Sequence, residues 1–575
     1  MKRALRFLVL GTLIPCAFEA QTQAFGAEDA TMRRPARTPA ALQGTVTYYR
    51  SKIDGQERPY TVCATDSSST PKPLIICVSP SGDRLEDAIY RTGLVASIIK
   101  ENGQAGVVLR PTGRGPGTLY MNYGEVDLFD ALEDVLSKHA IDRDRISIYG
   151  HSMGGAATWY LASHYPDIFA AAAPMSGYSD YRLWRKPGGY TFHLQEWDEP
   201  SWIARSAVFL VENLVHTPVW ILHGEWDRGT GSGVSVEHAR QMKRLMTNHG
   251  FAPKYLEVAG KAHHFTRDTE PLFEEMILWL LAQRKVRLPE HVTLVTYDLR
   301  HNRSYWVTID QLQVYGAARA QIDARKAGGR MVVTTDYVRM FSLGPVAEFG
   351  QTGISIDGQE LGQWDLGTAV QFRKDEAGRW RSGEFKLENE KRRGSAGGVG
   401  DLFFENVILV PGTVGTDEET HFAATATSDV WNNYRKRNGG LHRGGIMGEN
   451  AVDLTRVPDH ALTDEQLQQS NLILFGTYKT NAVLARLRDS LPLAFERDGI
   501  RVYDRHFMGE KAAVFAVFPH PLNPARYIAV HGGLTPDATC WGSHLDVGLL
   551  PDFLAYSEHN VLGWGFQGND WKSQR

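Results

Sequence analysis

The sequence predicts an α/β chain whose first half is a doubly wound, mostly parallel sheet. Two observations predict it. Short, continuous apolar runs recur at Leu74–Val78, Gly106–Arg110, Ile146–Tyr149, Ile168–Met175 and Pro218–His223. Helical patterns alternate with them at Asp87–Glu101, Val126–His139, Gly155–Tyr165 and Val236–His249. Strands that are apolar along their whole length are covered on both faces, and an intervening helix is the crossover that parallel neighbours need.

The elements follow in order. Thr45–Arg50 and Tyr60–Ala64 read as strands separated by the turn-forming Asp54-Gly55. A long insert after Ile168–Met175 interrupts the alternation, which ends with strand Lys254–Val258 and helix Glu270–Arg284. Residues 44–287 are therefore expected to be one domain. The pattern changes at Val286-Arg287-Leu288-Pro289. Over 290–390 the expected strands are Val292–Tyr297, Tyr305–Gln313, Met331–Val338, Ile354–Ile356, Val370–Lys374 and Glu384–Leu387, a small β-rich domain. Residues 391–401 read as a charged glycine loop. Residues 400–575 return to α/β: buried strands at Asn406–Val410, Asn471–Phe475 and Tyr527–His531, and a helix at Thr480–Arg488.

A chain of 575 residues is expected to hold more than one domain. Its net charge of −4, with no basic stripe, argues against nucleic acid as a main partner. Lys2, Arg3 and Arg6 precede an apolar run over Phe7–Phe18, and Ala24, Gly26 and Ala27 follow. That order is the pattern of a secretory signal peptide, too short to span a bilayer. Residues 1–27 are read as that signal and 28–43 as a linker, so the expected location is outside the cytoplasm. A lipoprotein signal on Cys16 is the rival, weakened by Pro15. No later stretch is apolar enough to span a membrane. Cys63, Cys77 and Cys540 remain after the signal, too few for a disulfide framework. Cys63 and Cys77 either pair across a hairpin or are buried apolar residues. No Cys/His group has zinc spacing, and no cofactor is expected.

The chemistry is concentrated at Gly150-His151-Ser152-Met153-Gly154-Gly155. A β-branched strand before it and a helical pattern after it make this Gly-x-Ser-x-Gly a nucleophile elbow, with an idle serine in a glycine-rich turn as the alternative. A serine hydroxyl needs a base, and the base needs an orienting carboxylate. In a doubly wound sheet both come from loops at the carboxyl ends of later strands. Pro218–His223 runs into Gly224-Glu225-Trp226-Asp227, and Lys254–Val258 into Ala259-Gly260-Lys261-Ala262-His263-His264. Ser152, Asp227 and His263 are the expected triad, with Glu225 the alternative acid and His264 the alternative base. The backbone N–H of Met153 is the first expected oxyanion donor; Ser81 or Gly82, after Leu74–Val78, is the second.

These residues carry a resemblance. Gly150–Gly155, His223–Asp227 followed by Val234-Ser235-Val236-Glu237, and Gly260–His263 resemble the catalytic domain of prolyl-oligopeptidase-like serine hydrolases. Secreted feruloyl-esterase and polyester-depolymerase relatives share the pattern. Pro111-Thr112-Gly113-Arg114-Gly115 and Ile141-Asp142-Arg143-Asp144-Arg145 also fit. The resemblance covers about 240 residues and implies an α/β-hydrolase fold and the Ser152, Asp227, His263 assignment. Arg228–Gly233 is a glycine-rich insertion that the family lacks. True prolyl peptidases carry an N-terminal propeller and commonly a Gly-Gly-Ser elbow, and this chain has neither. Asn471–Gly476 and Pro519–Val530 resemble the C-terminal part of large bacterial members, from which no function carries over.

The insert from Gly177 to Thr217 carries Tyr178, Tyr181, Trp184, Tyr190, Phe192, Trp197 and Trp202. It reads either as an aromatic cap over the site or as a packed helical excursion. The expected activity is that of a secreted serine hydrolase cleaving a small-molecule or polymer-linked carboxylic ester. A prolyl-oligopeptidase-type peptidase is the second reading, and an exported binding protein with an inert hydrolase fold the third.

Overall fold

The computed structural model describes residues 42–114, 119–183, 195–229, 233–264, 270–316, 318–435, 454–543, 545, 547–558 and 560–572. The signal reading, Cys16 and the linker up to residue 41 lie outside them. Leu42, at the end of that linker, donates its N–H to Ser97 Oγ at 2.9 Å.

The first region runs β1 (Thr45–Arg50), β2 (Glu57–Ala64), β3 (Lys72–Val78), α1 (Leu85–Glu101), β4 (Val107–Pro111), α2 (Tyr123–Lys138), β5 (Ile141–His151), α3 (Met153–His164), β6 (Ala171–Met175), α4 (Glu199–Arg205), β7 (Trp220–Gly224), α5 (Glu237–Asn248), β8 (Lys254–Val258) and α6 (Glu270–Ala282). They build one eight-stranded sheet in the order β1-β2-β4-β3-β5-β6-β7-β8. β1 and β2 pair antiparallel, and every pair from β4 to β8 is parallel. Side chains alternate across the strands, so one run feeds two cores. Leu74, Ile76 and Val78 of β3 pack with α2, α3 and α5, whereas Ile75 and Cys77 pack with α1 and α6. Every residue of β3 is buried, which is why its Leu74–Val78 stretch reads as an unbroken apolar run.

Cys63 and Cys77 are free and buried. They do not pair across a hairpin, because β4 lies between β2 and β3. Arg114 of the Pro111–Gly115 stretch is a buried pin: its guanidinium meets Asp54 at 2.8 Å and Asp127 at 3.3 Å.

The second region holds two five-stranded sheets around a shared core. The run Met331–Val338 breaks at Tyr337, whose φ is 50°. It separates strand Arg330–Asp336 from Val338–Leu343, which belongs to the other sheet. Strands Ala320–Ala327 and Gln359–Asp365 escape the sequence reading because their outward residues are polar and charged. Glu384–Leu387 is not a strand; the strand is Trp380–Ser382, and Phe385 instead donates its N–H to the Gln371 side chain at 3.1 Å.

The third region is a mixed seven-stranded sheet in which Val407–Pro411, Asn471–Phe475 and Tyr527–Gly533 run parallel. Its long helix, Asp417–Arg435, and its strand Ala513–Pro519 are absent from the sequence reading. The loop from Lys391 is not a solvated charged face throughout: Lys391 is fully buried and ion-paired with Asp552. The described residues pack as one compact unit. Leu549 enters the core beside α2 and α3, and Ile53 and Tyr123 enter the core of the third region.

Candidate active site

The elbow is built by close backbone approach. A Cβ on Gly150 would meet the Gly154 carbonyl at 2.5 Å, and one on Gly154 would meet Val78 O at 2.4 Å. Only glycine fits at either position. Ser152 takes φ 59° and ψ −116°, strained for a residue with a side chain. Its N–H is fixed to Met175 O at 2.9 Å. The turn sets Ser152 half-exposed at the carboxyl edge of the sheet, directly before the N-terminus of α3.

The loops after β7 and β8 arrive beside it because their strands are parallel neighbours in register, Gly224 opposite Val258. His263 Nδ1 lies 2.6 Å from Asp227 Oδ2, and His263 Nε2 lies 2.8 Å from Ser152 Oγ. The carboxylate accepts, so Nδ1 carries the proton and Nε2 is left to accept from the serine. His263 and Asp227 are both buried, at 6% and 2% exposure.

His223 adds a second donor to the acid. Its Nε2–H is given to Val234 O at 2.8 Å and also faces Asp227 Oδ2 at 3.4 Å. Burial alone would raise the Asp227 carboxyl, but the hydrogen bonds from His223 and His263 outweigh it and hold the group far below the usual carboxylate range. The acid stays ionised. The insertion after Asp227 does not displace it, for the Asp227 backbone is tied to Gly224 O at 3.1 Å and to the N–H of Val236 at 2.8 Å.

The alternatives separate by environment. Glu225 is exposed and accepts from the Gly260 N–H at 2.8 Å. His264 is exposed, its ring 5.0 Å from that of His263. Neither Glu225 nor His264 enters the Ser152–His263–Asp227 chain.

Met153 is the first residue of α3. Ser81 and Gly82 are exposed in the loop leaving β3, with Gly82 at φ 81°. That loop is held at both ends. Ser79 N–H bonds Tyr120 Oη at 2.9 Å, and Asp83 is ion-paired with the buried Arg110. A Cβ on Gly154 would also lie 3.1 Å from Ser79 O, so the loop and the elbow touch through backbone.

The sequence reading missed His151 and His223 as supports, although both stand inside the motifs it quotes. His151 donates from Nε2 to the His263 carbonyl at 2.8 Å, fixing the loop that carries His263. Burial, reinforced by His263, lowers His151 to about 3, so the ring is neutral. In the insert, Tyr181 and Trp202 stack at 6.0 Å inside the main core, and Trp197 packs on the core of the third region. Those three belong to a packed excursion; Trp184, Tyr190 and Phe192 lie outside the described residues.

Comparison with known proteins adds the family. The chain is 34% identical over 227 residues to an uncharacterized secreted protein of Arthroderma benhamiae, covering 36% of this chain and 22% of that protein. It is 29% identical over 137 residues to a probable chloroplastic glutamyl endopeptidase of Arabidopsis thaliana, covering 24% of this chain and 14% of that one. It is 35% identical over 63 residues to poly(3-hydroxyalkanoate) depolymerase C of Paucimonas lemoignei, covering 11% and 15%. The chain thus spans less than a quarter of the length of each of these relatives. Residues 119–285 match the prolyl oligopeptidase family. Over those residues the chain carries a prolyl oligopeptidase family domain, set on an α/β-hydrolase sheet.

Proposed function

We propose that this chain is an exported serine hydrolase that cleaves a carboxylic ester through an acyl-enzyme. The observation that carries the reading is the continuous hydrogen-bonded chain from Ser152 Oγ through His263 to a buried, ionised Asp227. Ser152 Oγ attacks the carbonyl carbon while His263 Nε2 takes its proton. Asp227 orients the ring and stabilises the imidazolium that forms. The tetrahedral oxyanion is received by the N–H of Met153 and that of Ser81 or Gly82, at a helix N-terminus whose dipole favours the charge. His263 returns the proton to the departing alkoxide. Water, deprotonated by the same nitrogen, then attacks the acyl-enzyme and releases the acid and Ser152.

The ester preference rests on three supports. The elbow is Gly-His-Ser rather than Gly-Gly-Ser. The described residues beyond 290 form two five-stranded sheets, a mixed seven-stranded sheet and a three-stranded one, not a propeller restricting access. One relative is named a poly(3-hydroxyalkanoate) depolymerase, and that polymer is joined by ester bonds. Export rests on the basic and apolar N-terminus and on a relative named as secreted. Peptide hydrolysis is the second reading, favoured by the family match and by the relative named a glutamyl endopeptidase.

The test is kcat/KM for p-nitrophenyl butyrate against p-nitroanilides of proline and glutamate. The ester is expected to be cleaved at least a hundredfold faster, since an alkoxide or phenolate demands less leaving-group protonation than an amine. An anilide equal to or faster than the ester would replace this reading with the peptidase.

A further inference from the structure

The helix that begins at the elbow ends at a cavity. Tyr160 and His164 of α3 lie about 12 and 18 Å along the axis from Ser152, at a rise of about 1.5 Å per residue. There they line a cleft of about 110 Å³ shared by all three regions of the chain, with Arg205, Arg300, Asp401 and Leu550 among its walls.

Most of the charges around this cleft are engaged. His301 bridges Glu125 at 3.1 Å and Asp298 at 3.2 Å. Asp401 accepts from the Tyr527 hydroxyl. Arg205 Nη2 donates to Gly548 O at 2.8 Å. Arg300 differs. Its Nε is buried without a hydrogen-bond partner and the described residues give the guanidinium no ion pair, although the carboxylates of Glu125, Asp401 and Glu405 act on its charge from farther away; its face rests on the Phe404 ring at 4.0 Å. Leaving a buried N–H of a half-buried guanidinium without an acceptor is costly. Stacking on an aromatic ring fixes its plane, which pre-orients the fork of N–H groups that matches a carboxylate.

Size and charge narrow the ligand. A dry cavity of about 150 Å³ holds benzene, so this cleft has room for about four or five non-hydrogen atoms. Asp298 and Asp401 also line it, which disfavours a dianion. Leu299, Phe404, Leu550 and Phe566 offer an apolar wall for a short tail. We propose that this junction cleft is a second ligand site, which takes a short aliphatic monocarboxylate on Arg300. The inference rests on the cleft alone and not on the proposed hydrolysis.

The test is calorimetric titration of the full-length Ser152→Ala chain with propionate, with its neutral isostere propionamide and with inorganic phosphate. Propionate is expected to bind one per chain, at least tenfold more tightly than either. Arg300→Gln should weaken propionate at least tenfold. The unsubstituted chain provides a readout free of folding effects: propionate, but not propionamide, should slow modification of Arg300 by phenylglyoxal, mapped by mass spectrometry, at least fivefold. Equal affinity for propionamide, tighter phosphate, an unaffected Arg300→Gln, or modification indifferent to propionate would each overturn the site.

Discussion

His263 and His264 are adjacent in sequence and opposite in environment: one is buried between Ser152 and Asp227, the other exposed. His263→Ala is expected to lower kcat by roughly 10⁶, as residues of a triad act as a unit. His264→Ala should cost less than tenfold, and steady-state kinetics on the two variants checks both. Asp227→Asn should lower kcat by about 10⁴, because an amide at that place favours the tautomer with the proton on Nε2. Asp227 stays ionised and His151 is neutral above about pH 4, with a folded pKa of about 3. His151→Asn should therefore leave the shape of the kcat/KM profile between pH 5 and 9 unchanged, whatever it does to its height. At this scale the sequence was readable where topology demanded a residue type at a strand end. It was not readable where two neighbours share a type, because the choice between His263 and His264 is made by which side chain the loop turns inward.

At the scale of elements, the elbow is the tightest constraint. Gly154→Ala would drive a methyl group to 2.4 Å from Val78 O, a backbone atom that cannot rotate away. The expected loss is roughly 1–3 kcal/mol of stability, with displacement of Ser152. Chemical denaturation and kinetics measure the two parts separately. The inner parallel strands were legible because burial on both faces makes them continuously apolar, as in Leu74–Val78 of β3. The antiparallel strands Ala320–Ala327 and Gln359–Asp365 were not, since only alternate residues of the first, and none of the second, are fully buried. The helix Asp417–Arg435 was hidden because its first turn is acidic and its apolar stripe narrow, reaching the core through Ala423, Ala426 and Val430.

At the scale of the whole molecule, the three regions are joined through buried polar groups as well as apolar contacts. His301 of the second region is held by Glu125 and Asp298; burial opposes its charge, but the two carboxylates raise it to about 9, from 6.5 in a free side chain. Its folded value lies above its unfolded one, so the stabilisation is complete below about pH 6.5 and fades as pH rises through 9. The upper limit is roughly 3 kcal/mol. The gap in thermal midpoint between the parent chain and His301→Gln should accordingly be widest near pH 6 and shrink toward pH 9.5. A gap that widens with pH would contradict the linkage. The interlocking of Leu549, Ile53 and Tyr123 between cores likewise predicts that residues 42–287 expressed alone unfold at a lower temperature than the full chain. Sequence patterning had separated these regions at their loops; it carries no signal for contacts made between side chains hundreds of residues apart.

If Ser152 is a nucleophile activated by His263, a fluorophosphonate should react with it and with no other residue. Incubated with the full-length chain and mapped by mass spectrometry, the probe is expected to form one adduct, on Ser152, with labelling abolished in Ser152→Ala and slowed by orders of magnitude in His263→Ala. A chain that takes no label, or takes it on another residue while Ser152→Ala retains full esterase activity, would mean that Ser152 is not the nucleophile.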